Sequence, residues 1–166
     1  GQALAAAGRY NDAIESLEKA EPKSKNYQLA QIKIASLAAA LNDIDKALAI
    51  LNRSIQSNKT VAPQTYLSLA NLYLAKNDHE NASKMLEQIK DADTPDSISK
   101  VKQVIQSQIN ILRKDYAKAI NSLDELTQEP EKLDPMTLSY TMLYLADALH
   151  LSDQKQEAID TLTSYL

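Results

Sequence analysis

One short phrase recurs five times along this chain, and each copy is centred on an alanine. The five alanines are Ala13, Ala47, Ala82, Ala119 and Ala158, and their successive separations are 34, 35, 37 and 39 residues. A leucine follows each alanine four residues later, at Leu17, Leu51, Leu86, Leu123 and Leu162. A period in this range is typical of solenoids, in which each unit buries its apolar face on its neighbours. The spacing therefore predicts a repeat architecture.

The apolar residues of each unit recur at helical spacing. The stretch 26–41 carries Leu29, Ile32 and Leu37 on a stripe with a period near 3.6, in a context rich in Ala, Leu, Lys and Gln. Turns of two or three residues, such as Asn42-Asp43 and Asn77-Asp78, require the two helices of a unit to lie antiparallel. The predicted helices are 1–7, 10–20, 26–41, 44–57, 64–76, 79–91, 96–113, 116–128, 136–151 and 155–166.

The five prolines fall between the predicted repeats and outside every predicted helix; they are Pro22, Pro63, Pro95, Pro130 and Pro135. Proline is unfavourable inside a helix and well suited to its first position. The sequences Thr94-Pro95-Asp96 and Asp134-Pro135 therefore predict helix starts, with an aspartate near the positive end of the helix dipole.

The third repeat shows the most specific pattern, with Tyr66, Leu69, Ala70 and Tyr73 followed by Ala82, Leu86 and Pro95. This pattern resembles the tetratricopeptide repeat, a helix–turn–helix unit of 34 residues. The resemblance covers essentially the whole chain and implies an all-α, right-handed superhelical solenoid of about five antiparallel hairpins. We expect one repeat domain over 1–166, with repeats at about 1–22, 26–60, 63–94, 96–130 and 135–166. The first repeat lacks half of its first helix, and the chain stops at Leu166 without a polar capping helix. We therefore expect either an excerpt of a longer array or a homo-oligomer that buries its ends.

The fourth repeat departs from this pattern. Polar residues occupy the signature positions of its first helix, at Gln103, Gln106, Ser107 and Asn110. The apolar stripe runs instead through Ile98, Val101, Val104, Ile105, Ile109 and Leu112. We expect this helix to be rotated about its axis, or its turn to differ in length by one residue.

Composition excludes several classes of function. The formal net charge is −4 and no Lys/Arg-rich run is present, which argues against nucleic acid as the main ligand. The chain has no cysteine and two glycines, and it lacks phosphate-binding loops and the motifs of hydrolases and zinc proteases. We therefore predict neither enzyme activity, cofactor nor metal site. No apolar stretch approaches the roughly 18 to 20 residues needed to span a bilayer, and cytoplasm and periplasm are both compatible with the composition.

In tetratricopeptide arrays the first helices of successive repeats line a concave groove that commonly receives a peptide or a partner helix. The resemblance places the following residues on that face: Leu29, Ile32, Ser36, Gln64, Leu67, Asn71, Leu74, Tyr140, Leu143, Tyr144, Asp147 and His150. This face is mostly apolar, and its two tyrosines can act as amphipathic anchors. Some relatives hold a C-terminal carboxylate with a basic clamp. That clamp is absent here, because Ile32 and Leu67 stand where a lysine would be needed.

Three functional hypotheses follow. The first is a non-enzymatic scaffold that binds a protein segment in the groove. The second is a module for self-association through uncapped ends, or a spacer within a longer protein. The third is a regulatory domain that senses a short peptide. The apolar groove residues also have a purely structural interpretation, in which they pack inside a tightly wound superhelix.

Overall fold

The computed structural model describes residues 26–90 and 94–165, together with the single residues 8, 12 and 15, which are helical. Within these residues the protein contains eight α-helices, one short 3-10 helix (Pro130–Lys132) and no β-strand. The α-helices are α1 (Tyr27–Ala40), α2 (Ile44–Ser57), α3 (Pro63–Ala75), α4 (His79–Glu87), α5 (Asp96–Leu112), α6 (Tyr116–Thr127), α7 (Pro135–Leu151) and α8 (Lys155–Tyr165). The predicted all-α class is confirmed. The predicted helices 1–7 and 10–20 lie outside the described residues, apart from positions 12 and 15.

The predicted helix bounds agree with these helices to within one residue, except at the end of α4. This helix ends at Glu87, four residues before the predicted end. The amides of Gln88 and Ile89 bond the carbonyls three residues earlier, at 3.2 and 3.1 Å. Ile89 is itself buried. The chain thus leaves the helix in a tight turn that places an apolar side chain in the core.

The turns that end α1, α3, α5 and α7 share one backbone motif. Each contains one residue with a positive φ: Asn42 (64°), Asn77 (58°), Lys114 (63°) and Asp153 (68°). The amide of the following residue bonds the carbonyl five residues earlier, as from Asp43 to Ala38 at 2.9 Å and from Gln154 to Leu149 at 2.9 Å. This is the Schellman motif, which satisfies the last carbonyls of a helix. Asn and Asp adopt the left-handed conformation more readily than most residues. This explains why the dipeptides Asn42-Asp43 and Asn77-Asp78 predict turns.

The first compact unit comprises residues 1–78. In it, α1 and α2 form a hairpin, and α3 packs against both. Small side chains allow the hairpin helices to approach closely, because Ala35 and Ala38 of α1 and Ala47 of α2 are almost completely buried. The Gln28 side chain holds the segment before α3. Its Nε2 donates to the Thr60 carbonyl at 2.7 Å, and its Oε1 accepts from the Ala62 amide at 2.7 Å.

The second compact unit comprises residues 79–166. In it, α4 contacts α5, and α5 to α8 pack successively, with a further contact between α5 and α7. One apolar cluster of this unit contains Val104, Leu123, Leu126, Leu145, Ala146, Leu149 and Ala158. A smaller cluster joins Ile111, Ala119 and Ala148. This core fixes the position of α7, the helix that carries the five predicted site residues of the fifth repeat.

The recurring alanine and leucine lie in the core in three successive repeats. Ala47, Ala82 and Ala119 are 0% exposed, and Leu51, Leu86 and Leu123 are 0 to 1% exposed. The last repeat differs, because Ala158 is buried whereas Leu162 is 41% exposed. Ala13 and Leu17 lie outside the described residues.

The fourth repeat keeps the turn geometry of the others but buries a different face of its first helix. Ser107 occupies the small-residue position seven residues before the positive-φ residue, as Ala70 and Ala146 do in their repeats. One position earlier, Gln106 is half-buried, whereas its counterpart Leu145 is buried. Ile105 is buried in its place. The structure therefore shows a shift of the buried face and no change in the turn. Leu112, which we expected on the apolar stripe, is exposed and Ile111 is buried instead.

Candidate functional site

The predicted groove residues of the first unit lie on α1 and α3 and differ in exposure. On α1, Leu29 is 54% exposed, Ile32 is half-buried and Ser36 is exposed. On α3, Gln64 and Asn71 are exposed, but Leu67 and Leu74 are buried. These two leucines belong to the core and offer no free surface in this structure. Helix α3 buries apolar side chains on more than one face, so its sequence has no clear polar side from which a groove face could be chosen.

The predicted residues of the fifth repeat all lie on α7, and most of them are accessible. Tyr140 and Leu143 are about half exposed, Asp147 and His150 are exposed, and Tyr144 is half-buried. The rings of Tyr140 and Tyr144 stack, with centroids 5.9 Å apart and an interplanar angle of 15°. Stacking one turn apart on a helix restricts both rings before any ligand binds.

The hydroxyl of Tyr144 stays protonated well above neutral pH. Burial, the neighbouring Tyr140 and the carboxylate of Asp147 all raise the pKa of Tyr144 above its usual value. Each of these effects disfavours the phenolate, since the anion would lose hydration and face another negative charge. The Tyr144 side chain therefore presents a neutral hydroxyl that can donate or accept one hydrogen bond.

The start of α7 is held by an N-terminal cap. The Asp134 carboxylate accepts from the amides of Met136 and Thr137, both at 3.1 Å, and from the Thr137 hydroxyl. These hydrogen bonds, with the one from the Thr137 hydroxyl contributing most, hold the pKa of Asp134 below its ordinary value. Pro135 occupies the first helical position, as the sequence predicts. The cap fixes where α7 begins and hence the register of the residues on its exposed face.

An open cleft of about 450 Å³ lies between α7 and α8. Its α7 wall includes Leu143, Asp147 and His150, and its α8 wall includes Lys155, Ile159 and Leu162. The structure thus brings together three of the predicted site residues, next to the stacked tyrosines. The α8 wall is absent from the sequence prediction. Leu162 belongs to the recurring phrase, which we assigned to packing, and Ile159 follows the recurring alanine. Their exposure depends on whether another element covers them, and the sequence pattern carries no signal for that.

In the part of the chain that the structure describes, no group of three or more His, Asp or Glu side chains is placed to hold a metal ion. Asp91 and Asp93, which with Asp96 form an acidic run, lie outside that part. No described helix is long and apolar enough to cross a membrane.

Comparison with known proteins gives matches in sequence over the first half of the chain and in structure over nearly all of it. Two sequence profiles of the tetratricopeptide repeat match residues 4–64 and residues 63–94. A comparison with curated proteins gives no match. Two crystal structures are similar to this one, both of the nearly identical TPR-like repeats of a candidate kinesin light chain from Podosopora anserina, one of them in a point variant. The variant structure has a TM-score of 0.67 at 18% identity over 95% of this chain and 85% of that chain. The second has a TM-score of 0.64 at 18% identity over 94% and 85%.

Proposed function

Because the chain belongs to the tetratricopeptide-repeat family, whose repeats generally mediate protein–protein interactions, we propose that it is a non-enzymatic scaffold that binds a segment of a partner protein. The observation that carries this proposal is the exposed apolar surface of α7. We place the partner on Tyr140, Leu143 and Tyr144, with Asp147 and His150 as its polar border. For the first unit we propose a separate surface, made of the exposed predicted residues Leu29, Ser36, Gln64 and Asn71 together with the half-buried Ile32.

The exposed residues of α7 have the chemistry of a protein-binding surface. Large apolar side chains exposed side by side on one helix are unusual on a monomer and commonly mark interaction sites. Tyrosine is enriched at such sites because its ring buries a large area while its hydroxyl stays hydrogen-bonded. Asp147 and His150 can fix the orientation of a partner through polar contacts at the edge.

Affinity capture tests the proposal directly. The immobilised protein and two variants, Leu143→Glu and Tyr140→Ala, are exposed to cell extract, and the captured proteins are identified by mass spectrometry. We expect Leu143→Glu to abolish capture of the specific partner, because it places a carboxylate in an apolar contact. We expect Tyr140→Ala to weaken capture, because it removes one ring of the stack.

Leu112→Glu is the matched control. Leu112 has an exposure similar to that of Leu143, 42% against 52%, but lies on α5, outside the proposed surface. This variant should retain the partner. If Leu143→Glu and Leu112→Glu recover the same proteins as the unchanged chain, the surface is assigned wrongly. Self-association is the competing hypothesis. It predicts that the protein captures itself and forms concentration-dependent oligomers in light scattering.

A further inference from the structure

We propose that successive repeats of this chain recognise each other by a charge rule. An acid at the start of the second helix of one repeat pairs with a base at the end of the first helix of the next repeat. This pairing stabilises the stacking of the correct neighbour and discriminates against a neighbour with the opposite charge. The inference concerns contacts between repeats, so it is independent of the proposed partner surface.

The first pair joins α2 to the end of α3. Lys76 Nζ donates to Asp45 Oδ1 at 2.6 Å. Asp45 is the second residue of α2, and Lys76 is the C-cap residue of α3. The hydrogen bond with Asp45 is the largest of the effects that raise the pKa of Lys76 above its usual value, as expected when an ammonium gains a carboxylate partner.

The second pair joins α4 to the end of α5. Arg113 donates from Nη2 to Glu80 Oε1 at 3.1 Å. Glu80 is again the second residue of its helix, and Arg113 is again a C-cap residue. His79 Nε2 also lies 3.4 Å from Glu80 Oε1, but this contact stays within one repeat. The two cross-repeat pairs therefore connect the same two positions of successive repeats.

The positive-φ residues of the turns show that the two pairs are equivalent. Each acid lies three residues after one such residue and each base lies one residue before the next, counting from Asn42, Asn77 and Lys114. The side chains differ, with aspartate and lysine in one pair and glutamate and arginine in the other, whereas the signs of the charges are the same. The charge at each position therefore recurs without the residue type.

Each charge also suits the helix end on which it lies. An acid in the first turn of a helix and a base at its last residues interact favourably with the helix dipole. That interaction needs no contact between repeats, but the acid and the base do meet, at 2.6 and 3.1 Å. An exposed ion pair contributes little stability. Like charges at the same two positions would repel, so the pairs contribute to specificity more than to stability.

The stacking of the fifth repeat on the fourth provides an internal comparison, because both positions are uncharged there. Ala117 on α6 stands in place of the acid, and Ser152, the C-cap residue of α7, stands in place of the base. Ala117 is exposed and Ser152 is half-buried. Here α7 packs through Leu145 and Leu149 in the apolar cluster that contains Leu123. The ion pair can therefore be introduced where the chain lacks it.

Double-mutant cycles test the two natural pairs. Asp45→Asn, Lys76→Gln and their combination are compared by urea unfolding, as are Glu80→Gln, Arg113→Gln and their combination. The dipole contribution of each charge cancels in the cycle, which leaves the coupling between the two side chains. We expect a coupling of about two- to fivefold in the unfolding equilibrium constant at low salt, and its loss in about 1 M NaCl. A coupling that is absent at either junction, or that persists at high salt, overturns the proposal.

Introducing charges between α6 and α7 tests the rule in the opposite direction. Ala117→Glu with Ser152→Lys should be more stable than the two single substitutions predict, by about two- to fivefold in the unfolding equilibrium constant. Ala117→Lys with Ser152→Lys is the matched control, and its coupling should have the opposite sign because the charges repel. Circular dichroism checks that all variants fold. If the opposite-charge and like-charge pairs show the same coupling, these positions do not bring side chains of successive repeats together, and the proposal is overturned.

Discussion

Two threonine side chains are fully buried, and their hydroxyls differ in hydrogen bonding. Thr141 on α7 donates its Oγ1 proton to the Thr137 carbonyl at 2.8 Å. Thr65 on α3 has no hydrogen-bond partner for Oγ1 among the residues that the structure describes. Burying a hydroxyl without a partner costs free energy that a bonded hydroxyl does not lose. The two positions therefore allow the cost to be measured within one protein.

We expect Thr65→Val to raise the free energy of unfolding by about 1 kcal/mol, because it removes an unpaired polar atom and preserves the branched shape. Thr141→Val, which breaks a hydrogen bond, should lower it by a similar amount. Urea unfolding followed by circular dichroism at 222 nm measures both. A lower urea midpoint for Thr65→Val would show that the Thr65 hydroxyl has a partner.

The N-cap of α7 predicts a specific dependence of stability on pH. The pKa of Asp134 is lowered in the folded protein, so the unfolded state binds the proton more readily and stability rises with pH. The contribution is complete above the ordinary aspartate pKa of about 3.9 and is lost as the pH falls through the lowered value. Asp134→Asn retains a capping side chain without the charge. In thermal unfolding we expect it to be less stable than the unchanged protein at pH 6, by a difference that shrinks as the pH falls below about 3.9. A difference that persists at the lowest pH would show that the charge of Asp134 is not responsible.

At the scale of single elements, the helix ends are set by a few turn residues. Asn42, Asn77 and Asp153 adopt a positive φ with side chains that tolerate it. Lys114 adopts φ 63° with a longer side chain that has no such preference. The turn after α5 therefore carries backbone strain that the equivalent turns carry to a lesser degree.

Lys114→Gly should stabilise the protein by about 0.5–1 kcal/mol, because glycine adopts a positive φ without the steric cost of a Cβ atom. Lys118→Gly is the control. Lys118 is an exposed residue in the first turn of α6 that pairs with Asp115. Glycine there should cost about 1 kcal/mol, because it lowers helix propensity and removes this surface pair. The two variants are compared by urea unfolding. If Lys114→Gly is destabilising, the left-handed residue of this turn is not strained.

The sequence predicts the helices and their ends well. It predicts less well which face of each helix is buried. The turn dipeptides and helix-favouring residues predict most ends of α1 to α8 to within one residue, since both are local effects. The burial of Ile111 rather than Leu112, and of Leu67 and Leu74, depends on which neighbouring helices cover each face. That is a tertiary effect, and a helix such as α3, apolar around most of its circumference, carries no local signal for it.

At the scale of the whole chain, the repeats carry the same residue type at equivalent positions, but the surroundings of these positions differ. Leu51, Leu86, Leu123 and Leu162 follow the recurring alanine at the same spacing, and the first three are buried. Leu162 lines the open cleft instead. In a repeat protein the neighbouring unit decides whether such a residue stabilises the fold or remains available for binding. This is why the sequence predicts the α7 side of the candidate site and misses the α8 side.

The same substitution at equivalent positions should therefore have unequal effects. Leu123→Ala creates a cavity in the apolar cluster of α6 and α7 and should lower the free energy of unfolding by about 2–5 kcal/mol. Leu51→Ala and Leu86→Ala should fall in the same range, since both leucines are 0 to 1% exposed. Leu162→Ala should cost less than about 1 kcal/mol, because its side chain already faces solvent in part. Urea unfolding of the four variants checks this order. A cost for Leu162→Ala equal to that of Leu123→Ala would mean that the face of α8 is covered in solution by the protein itself, and the cleft would then not be free for a partner.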